Sequence, residues 1–177
     1  MGGMVAVRYA AKYPERVARL VLDCPSAKSD FMSRARWDVW KVLAQACGMG
    51  SHELAVELAS QALSRDFLDS ARGPEVIDTI QQVLERNCSV SVFCGACDAM
   101  SEMNLSDDLP RIEAPTLVMV GNQDILTPLD QCPDGIGSRA IAEAIPNAEL
   151  CVIENCAPTN LMEIVVGFLQ RLQNGAT

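Results

Sequence analysis

Two cysteines in Cys94-Gly95-Ala96-Cys97 have the spacing of a redox dithiol, or of half a zinc site. Such a dithiol works when a helix N-terminus lowers the pKa of its first thiol, and it ordinarily follows a strand in a βαβ unit. Here the pair falls between a helical stretch and the connector 107–112, and no second Cys-x-x-Cys completes a zinc site. Histidine is the side chain suited to moving protons near neutral pH, and the chain has one, His52, at a polar helix start where exposure or capping is the alternative to catalysis. Gly2-Gly3 and Gly135-x-Gly137 lack the surroundings of a phosphate loop or dinucleotide fingerprint, so nucleotide binding is not expected. Asp124 ends an apolar run, where a carboxylate either orients a catalytic base or closes a turn.

The rest of the sequence bounds the setting for these groups. A chain of 177 residues, 49% apolar and 21% charged, is expected to fold as one domain around a hydrophobic core. Lys and Arg number 14 against 23 Asp and Glu, a net charge of -9 with no basic cluster, which argues against nucleic acid as a partner. No run approaches the roughly 18 apolar residues of a membrane span, and no basic segment followed by an apolar core opens the sequence. The expectation is a cytoplasmic protein without a membrane partner. The eight cysteines (Cys24, Cys47, Cys88, Cys94, Cys97, Cys132, Cys151 and Cys156) are therefore read as mostly reduced. Cys24 follows Leu20-Val21-Leu22 and Cys151 precedes Val152-Ile153, where a thiol packs as a small hydrophobe.

The elements that must position these groups are written in the hydrophobic pattern. Val5, Tyr9 and Tyr13 recur at helical spacing over 4–13, and Pro14 stops the helix. Three short apolar runs, 19–24, 116–120 and 150–153, read as strands buried on both faces of a parallel sheet. A helix over 138–145 links the last two. Leu161, Ile164, Val165, Phe168, Leu169 and Leu172 make an amphipathic helix that closes the chain. Between 26 and 110 only helices are predicted, over 34–47, 52–63 and 74–88, the last opened by Pro74 in its first turn. The class is α/β: about three parallel strands flanked by helices in 1–26 and 111–177, with an all-helical insert over 27–110.

Three stretches carry a resemblance. Met1-Gly2-Gly3-Met4-Val5-Ala6, then Tyr13-Pro14-Glu15-Arg16-Val17 and Leu20-Val21-Leu22, resemble the α/β-hydrolase segment that runs from the nucleophile elbow, Gly-x-Ser-x-Gly, to the next strand. Ala114-Pro115-Thr116-Leu117-Val118-Met119-Val120-Gly121-Asn122-Gln123-Asp124, with Thr127-Pro128, resembles the strand that ends in the triad acid. Ile145-Pro146-Asn147-Ala148-Glu149-Leu150 and Val152-Ile153-Glu154-Asn155-Cys156-Ala157-Pro158 resemble the segment that carries the catalytic histidine.

The resemblance implies a partial α/β-hydrolase fold whose helical insert is the family's lid, acting without metal or cofactor on esters, lactones or related carbonyl compounds. It makes Asp124 the triad acid and Met1 the position whose amide serves the oxyanion, and it puts the serine one residue before Met1. Cys156 takes the place of the histidine, or Ala157 if one gap is allowed. A thiol at that place cannot act as general base, since it ionises near 8.5 and is then itself a nucleophile. The chain is therefore expected to be a truncated hydrolase domain, inactive by itself. The alternatives are a partner-dependent binding module and a thiol redox protein using Cys94 and Cys97. With the preceding strands absent, the first strand becomes an open apolar edge that invites a partner or a second copy of the chain.

Overall fold

Thr116–Gly121 is the most deeply buried strand of the protein, every one of its residues being buried. In the computed structural model, which describes residues 1–131, 134–154, 165–166 and 168–169, this strand (β2) lies between Leu20–Asp23 (β1) and Ala148–Ile153 (β3). Both pairings are parallel, with Leu20 opposite Thr116 and Thr116 opposite Ala148. Alternation along β2 divides the sheet into two faces. Leu117 and Met119 pack with Phe168, Val21, Cys151, Ile153, Val165 and Leu169. Thr116, Val118 and Val120 point the other way, in register with Leu20 and Leu22 of β1.

Burial on both faces holds for β2 and fails for β3, where Glu149 and Val152 are exposed. A strand paired on one side only, at the end of the sheet, is covered less completely than its central neighbour. The strand also starts two residues earlier than its apolar run, because Thr116 N–H donates to Asn147 O and pins the entry to β3.

Helix Gly2–Lys12 (α1) buries Met4, Val7, Ala10 and Ala11 and stops where Pro14 begins a short 3-10 turn. Its opposite face leaves Met1, Val5 and Tyr9 exposed. Arg8 on α1 reaches the nearly buried Asp108 at 2.7 Å, tying the helix to the turn at Leu109–Arg111. The helix between β2 and β3 is Ser138–Ala144, and Ser138 and Ile141 are its wholly buried residues. Gly137, just before it, is glycine for steric reasons: a Cβ there would lie 2.7 Å from Pro128 O and 3.0 Å from Gln131 N. That accounts for Gly137 without a phosphate. Residues 165, 166, 168 and 169 are helical, and the rest of the expected closing helix lies outside the described residues.

The chain divides into two units. The first, Met1–Lys28 with Asn104–Thr177, holds the sheet; the second is Ser29–Met103. The second unit is helical, with α2 Phe31–Cys47, α3 His52–Ala62, α4 Arg65–Leu68, α5 Gly73–Asn87 and α6 Val90–Glu102. Each start has a local cause. Asp30 accepts from Ser33 N–H at 2.7 Å, and Ser51, Ser64 and Ser89 cap α3, α4 and α6 in the same way. Pro74 sits in the first turn of α5. Ala44, Met49 and Leu54 form a core with Leu43, Leu58, Leu84, Cys88, Val90 and Phe93. Trp37, buried beside Trp40, donates from Nε1 to Ser29 Oγ at 3.2 Å, and Ser29 donates on to Met100 O. The helix α6 has no counterpart in the sequence expectation: its Val, Ser, Gly and Cys content is poor in helix formers. The Ser89 cap and packing against α2 override that composition.

Candidate active site

Asp124 stands in the turn after β2, at the carboxyl end of the sheet, where parallel α/β sheets gather their ligand-binding groups. Gly121 ends the strand, and Asp124 N–H donates back to Gly121 O at 3.2 Å. The carboxylate then organises the turn beyond it. Oδ1 accepts from Leu126 N–H at 2.9 Å and Thr127 N–H at 2.8 Å, and Oδ2 accepts from the Thr127 hydroxyl at 3.0 Å. The turn-closing reading of Asp124 is therefore met, and the turn holds the side chain in one orientation. Beside it Asn122 N–H donates to Ile153 O at 3.0 Å, and the Asn122 side chain donates to Glu154, so the turn is tied to the end of β3.

The carboxyl end of β1 lies next in the sheet. Cys24 N–H donates to Met119 O at 2.8 Å. Burial first, and Asp124 second, push the Cys24 thiol far above the usual range. The signal that could have found Cys24 is its backbone, φ 46°, the only positive φ of a non-glycine among the described residues. The first turn of α1 comes to the same edge, because a Cβ on Gly3 would lie 3.7 Å from Pro25. Met1 is the N-cap of α1 with an exposed side chain, and desolvation lowers the pKa of its amine. The amides after Met1 are the orphan donors of a helix start, the kind of group that can hold an oxyanion.

Cys156 and the neighbouring Ala157 lie outside the described residues. His52 opens α3 in the second unit and is exposed. Cys94 and Cys97 stand inside α6, not between a helix and a connector as the sequence suggested. Cys97 is wholly buried, and its thiol is pushed up to about 11 by that burial, then by Cys94, against the pull of Lys41. A redox dithiol needs the opposite shift. Among the described residues no three His, Cys, Asp or Glu side chains gather to hold a metal ion, and no helix is long and apolar enough to cross a membrane.

Comparison with known proteins agrees with this architecture. Residues 1–163 match the family model described as serine aminopeptidase, S33. Mouse monoacylglycerol lipase ABHD6 is 27% identical over 198 residues, a match covering 98% of this chain and 54% of that protein. The 3-oxoadipate enol-lactonase 2 of Acinetobacter baylyi is 26% identical over 155 residues, covering 87% of this chain and 53% of that protein. Among solved structures, MGS-M2, an α/β-hydrolase enzyme from a Medee basin deep-sea metagenome library, superposes with a TM-score of 0.78 at 23% identity, over 96% of this chain and 62% of that one. The enol-lactonase from Burkholderia xenovorans LB400 gives 0.75 at 24% identity, over 98% and 62%. A parallel sheet with helices around it and a turn-held aspartate at its carboxyl end thus defines the class, and the chain belongs to the α/β-hydrolase superfamily, in the serine aminopeptidase S33 family. It spans about half the length of the curated relatives it matches.

Proposed function

We propose that this chain is the part of a carbonyl-ester hydrolase that carries the acid of the catalytic relay, Asp124, and the helical lid, and that it does not turn over substrate alone. The observation that carries the reading is the grip on Asp124, whose carboxylate is fixed by the Leu126 and Thr127 amides and the Thr127 hydroxyl. A triad acid has to hold an imidazole in one tautomer and stabilise the imidazolium that forms, which requires a carboxylate that does not swing. The one histidine of the chain, His52, opens α3 and is not at the place where the resemblance puts the imidazole. Substrates would be esters, lactones or related carbonyl compounds, in keeping with the monoacylglycerol lipase and enol-lactonase names among the relatives.

The acid role can be tested without a nucleophile. An imidazole introduced as Cys156→His, with Ala157→His as the alternative placement, is expected to give a far-downfield N–H proton resonance that disappears when Asp124→Asn is added. A histidine at either place whose spectrum ignores Asp124 would remove the aspartate from the relay. The unaltered chain is expected to leave p-nitrophenyl butyrate at the buffer rate, and turnover sensitive to Asp124→Asn would overturn the inactive half of the reading.

A second reading is a partner-dependent module. Among the described residues, no strand pairs with the outer edge of β1, and Met1, Val5 and Tyr9 of α1 are exposed. Backbone groups along an unpaired edge favour addition of a strand, from a partner or from a second copy of this chain.

A further inference from the structure

The unpaired side of β1 carries a pattern of opposite charges placed symmetrically about its centre. The chain bends at Ala18 before the strand, and the left-handed Cys24 followed by Pro25 closes it, so the usable edge runs from Arg19 to Asp23. Leu20 N–H and Cys24 N–H donate to β2, at Pro115 O and Met119 O, so the backbone groups of Arg19, Val21 and Asp23 face away from it. By the same alternation the side chains of these three residues share one face of the sheet, the face on which Val21 packs near Phe168. Neither Arg19 nor Asp23 forms an ion pair among the described residues.

Charges on an exposed strand edge ordinarily deter pairing. Here they favour it in one register. In an antiparallel pair of two copies centred on Val21, Arg19 of each copy lies directly opposite Asp23 of the other, Val21 lies opposite its own counterpart, and all the outward backbone groups find partners. Centring on Leu20 or on Leu22 instead sets a charge opposite Val21, and an in-register parallel pairing sets like charges side by side. The helix α1, which packs against β1, extends the same surface: its exposed Met1, Val5 and Tyr9 recur every four residues, along one side of a helix.

We propose that the partner of this edge is a second copy of the chain, in an antiparallel β1–β1 pairing centred on Val21 and fixed by Arg19 of each copy against Asp23 of the other. This pairing rests on the reading of the chain as a module whose β1 edge takes a strand, and it names the strand. The sheets of the two copies become one continuous sheet about a two-fold axis through Val21, which uses up both β1 edges and leaves none for a third copy. The same axis brings the two copies of α1 onto one side of the joined sheet, with their Met1, Val5 and Tyr9 stripes available to extend the contact. A strand this short pairs over less area than the roughly 1,600 Å² of a standard interface, so the dimer dissociates on dilution.

Sedimentation velocity of the 177-residue chain over a series of concentrations reads the dimer and its Kd. Arg19→Asp sets an acid opposite Asp23, and Asp23→Arg sets a guanidinium opposite Arg19, so each variant by itself is expected to raise the Kd about five-fold or more. Mixed together, the two variants place opposite charges at both contacts, and the mixture is expected to regain a dimer holding one copy of each. That recovery requires both variants to be folded, which a loss of association would not show. The chain carrying Arg19→Asp and Asp23→Arg together should likewise pair with itself. A chain that is monomeric at every concentration, or a mixture that associates no better than either variant alone, would overturn the proposal. In the monomeric case amide hydrogen exchange at Val21 separates the two levels: rapid exchange leaves β1 an open edge for a different partner, and protection would sink the open-edge reading as well. Association that is lost in Asp23→Pro yet indifferent to the charge variants would keep pairing through the edge and discard this register.

Discussion

Both oxygens of Asp124 are engaged by the turn beyond it, so its side chain matters to folding before any chemistry is considered. Replacing it with alanine is expected to lower the stability of the sheet unit by about 1–2 kcal/mol in urea unfolding, and Asp124→Asn by less, since an amide oxygen can still accept from the two turn amides. Cys97 gives a pH prediction of definite sign. Its thiol ordinarily ionises at 9.0 and is pushed up to about 11 in the folded chain. The unfolded chain therefore gives up this proton first, and the stability contributed by Cys97 is present below pH 9 and lost as pH rises from 9 toward 11. Urea midpoints measured from pH 8 to 10.5 should fall, and should fall less steeply in Cys97→Ala. At this scale Asp124 was legible, because its place after an apolar strand and before Thr127-Pro128 is written in residue types. Cys24 was not, because its distinguishing mark is a dihedral angle and its sequence context reads only as strand end.

Elements were legible where periodicity and punctuation agreed. The strand β2 begins after Pro115 and ends at Gly121, and α5 has Pro74 in its first turn, as their composition indicates. Helix α6 was missed because its residues are weak helix formers, and its stability comes from the Ser89 cap and from α2. Ser89→Ala should therefore cost the helical unit about 1 kcal/mol in equilibrium unfolding, more than the same change at an uncapped surface serine. Gly137 gives the complementary case, in which glycine is required by space and not by conformation. Gly137→Ala should destabilise the sheet unit by about 1–3 kcal/mol, because Pro128 O and Gln131 N are backbone atoms and can yield only by moving the chain.

At the scale of the molecule, the order of the pieces was legible because each of the three stretches spans a strand and its neighbouring turn. The exposure of β3 was not, since an apolar run does not state whether it lies at the middle or the edge of a sheet. If β1 takes a further strand, the register of its ladder says which amides do the pairing. Leu20 and Cys24 donate inward to Pro115 O and Met119 O, so the amides of Val21 and Asp23 face away from β2. Asp23→Pro removes an outward donor without touching the inner ladder and is expected to abolish any association seen by size-exclusion chromatography with light scattering. Association that survives Asp23→Pro would point to a surface other than this edge. The β1–β2 ladder also sets the kinetics of folding. Its partners are separated by roughly 100 residues, and closing so long a loop in a flexible chain costs about 4 kcal/mol. The whole of Ser29–Met103 lies inside that loop, and Ala27 O receives Leu105 N–H at 2.9 Å where the chain leaves and returns. Helices that collapse among near neighbours draw those two ends together before the sheet exists. The refolding rate of the sheet should therefore track the stability of the helices, so that Ser89→Ala slows the appearance of β2.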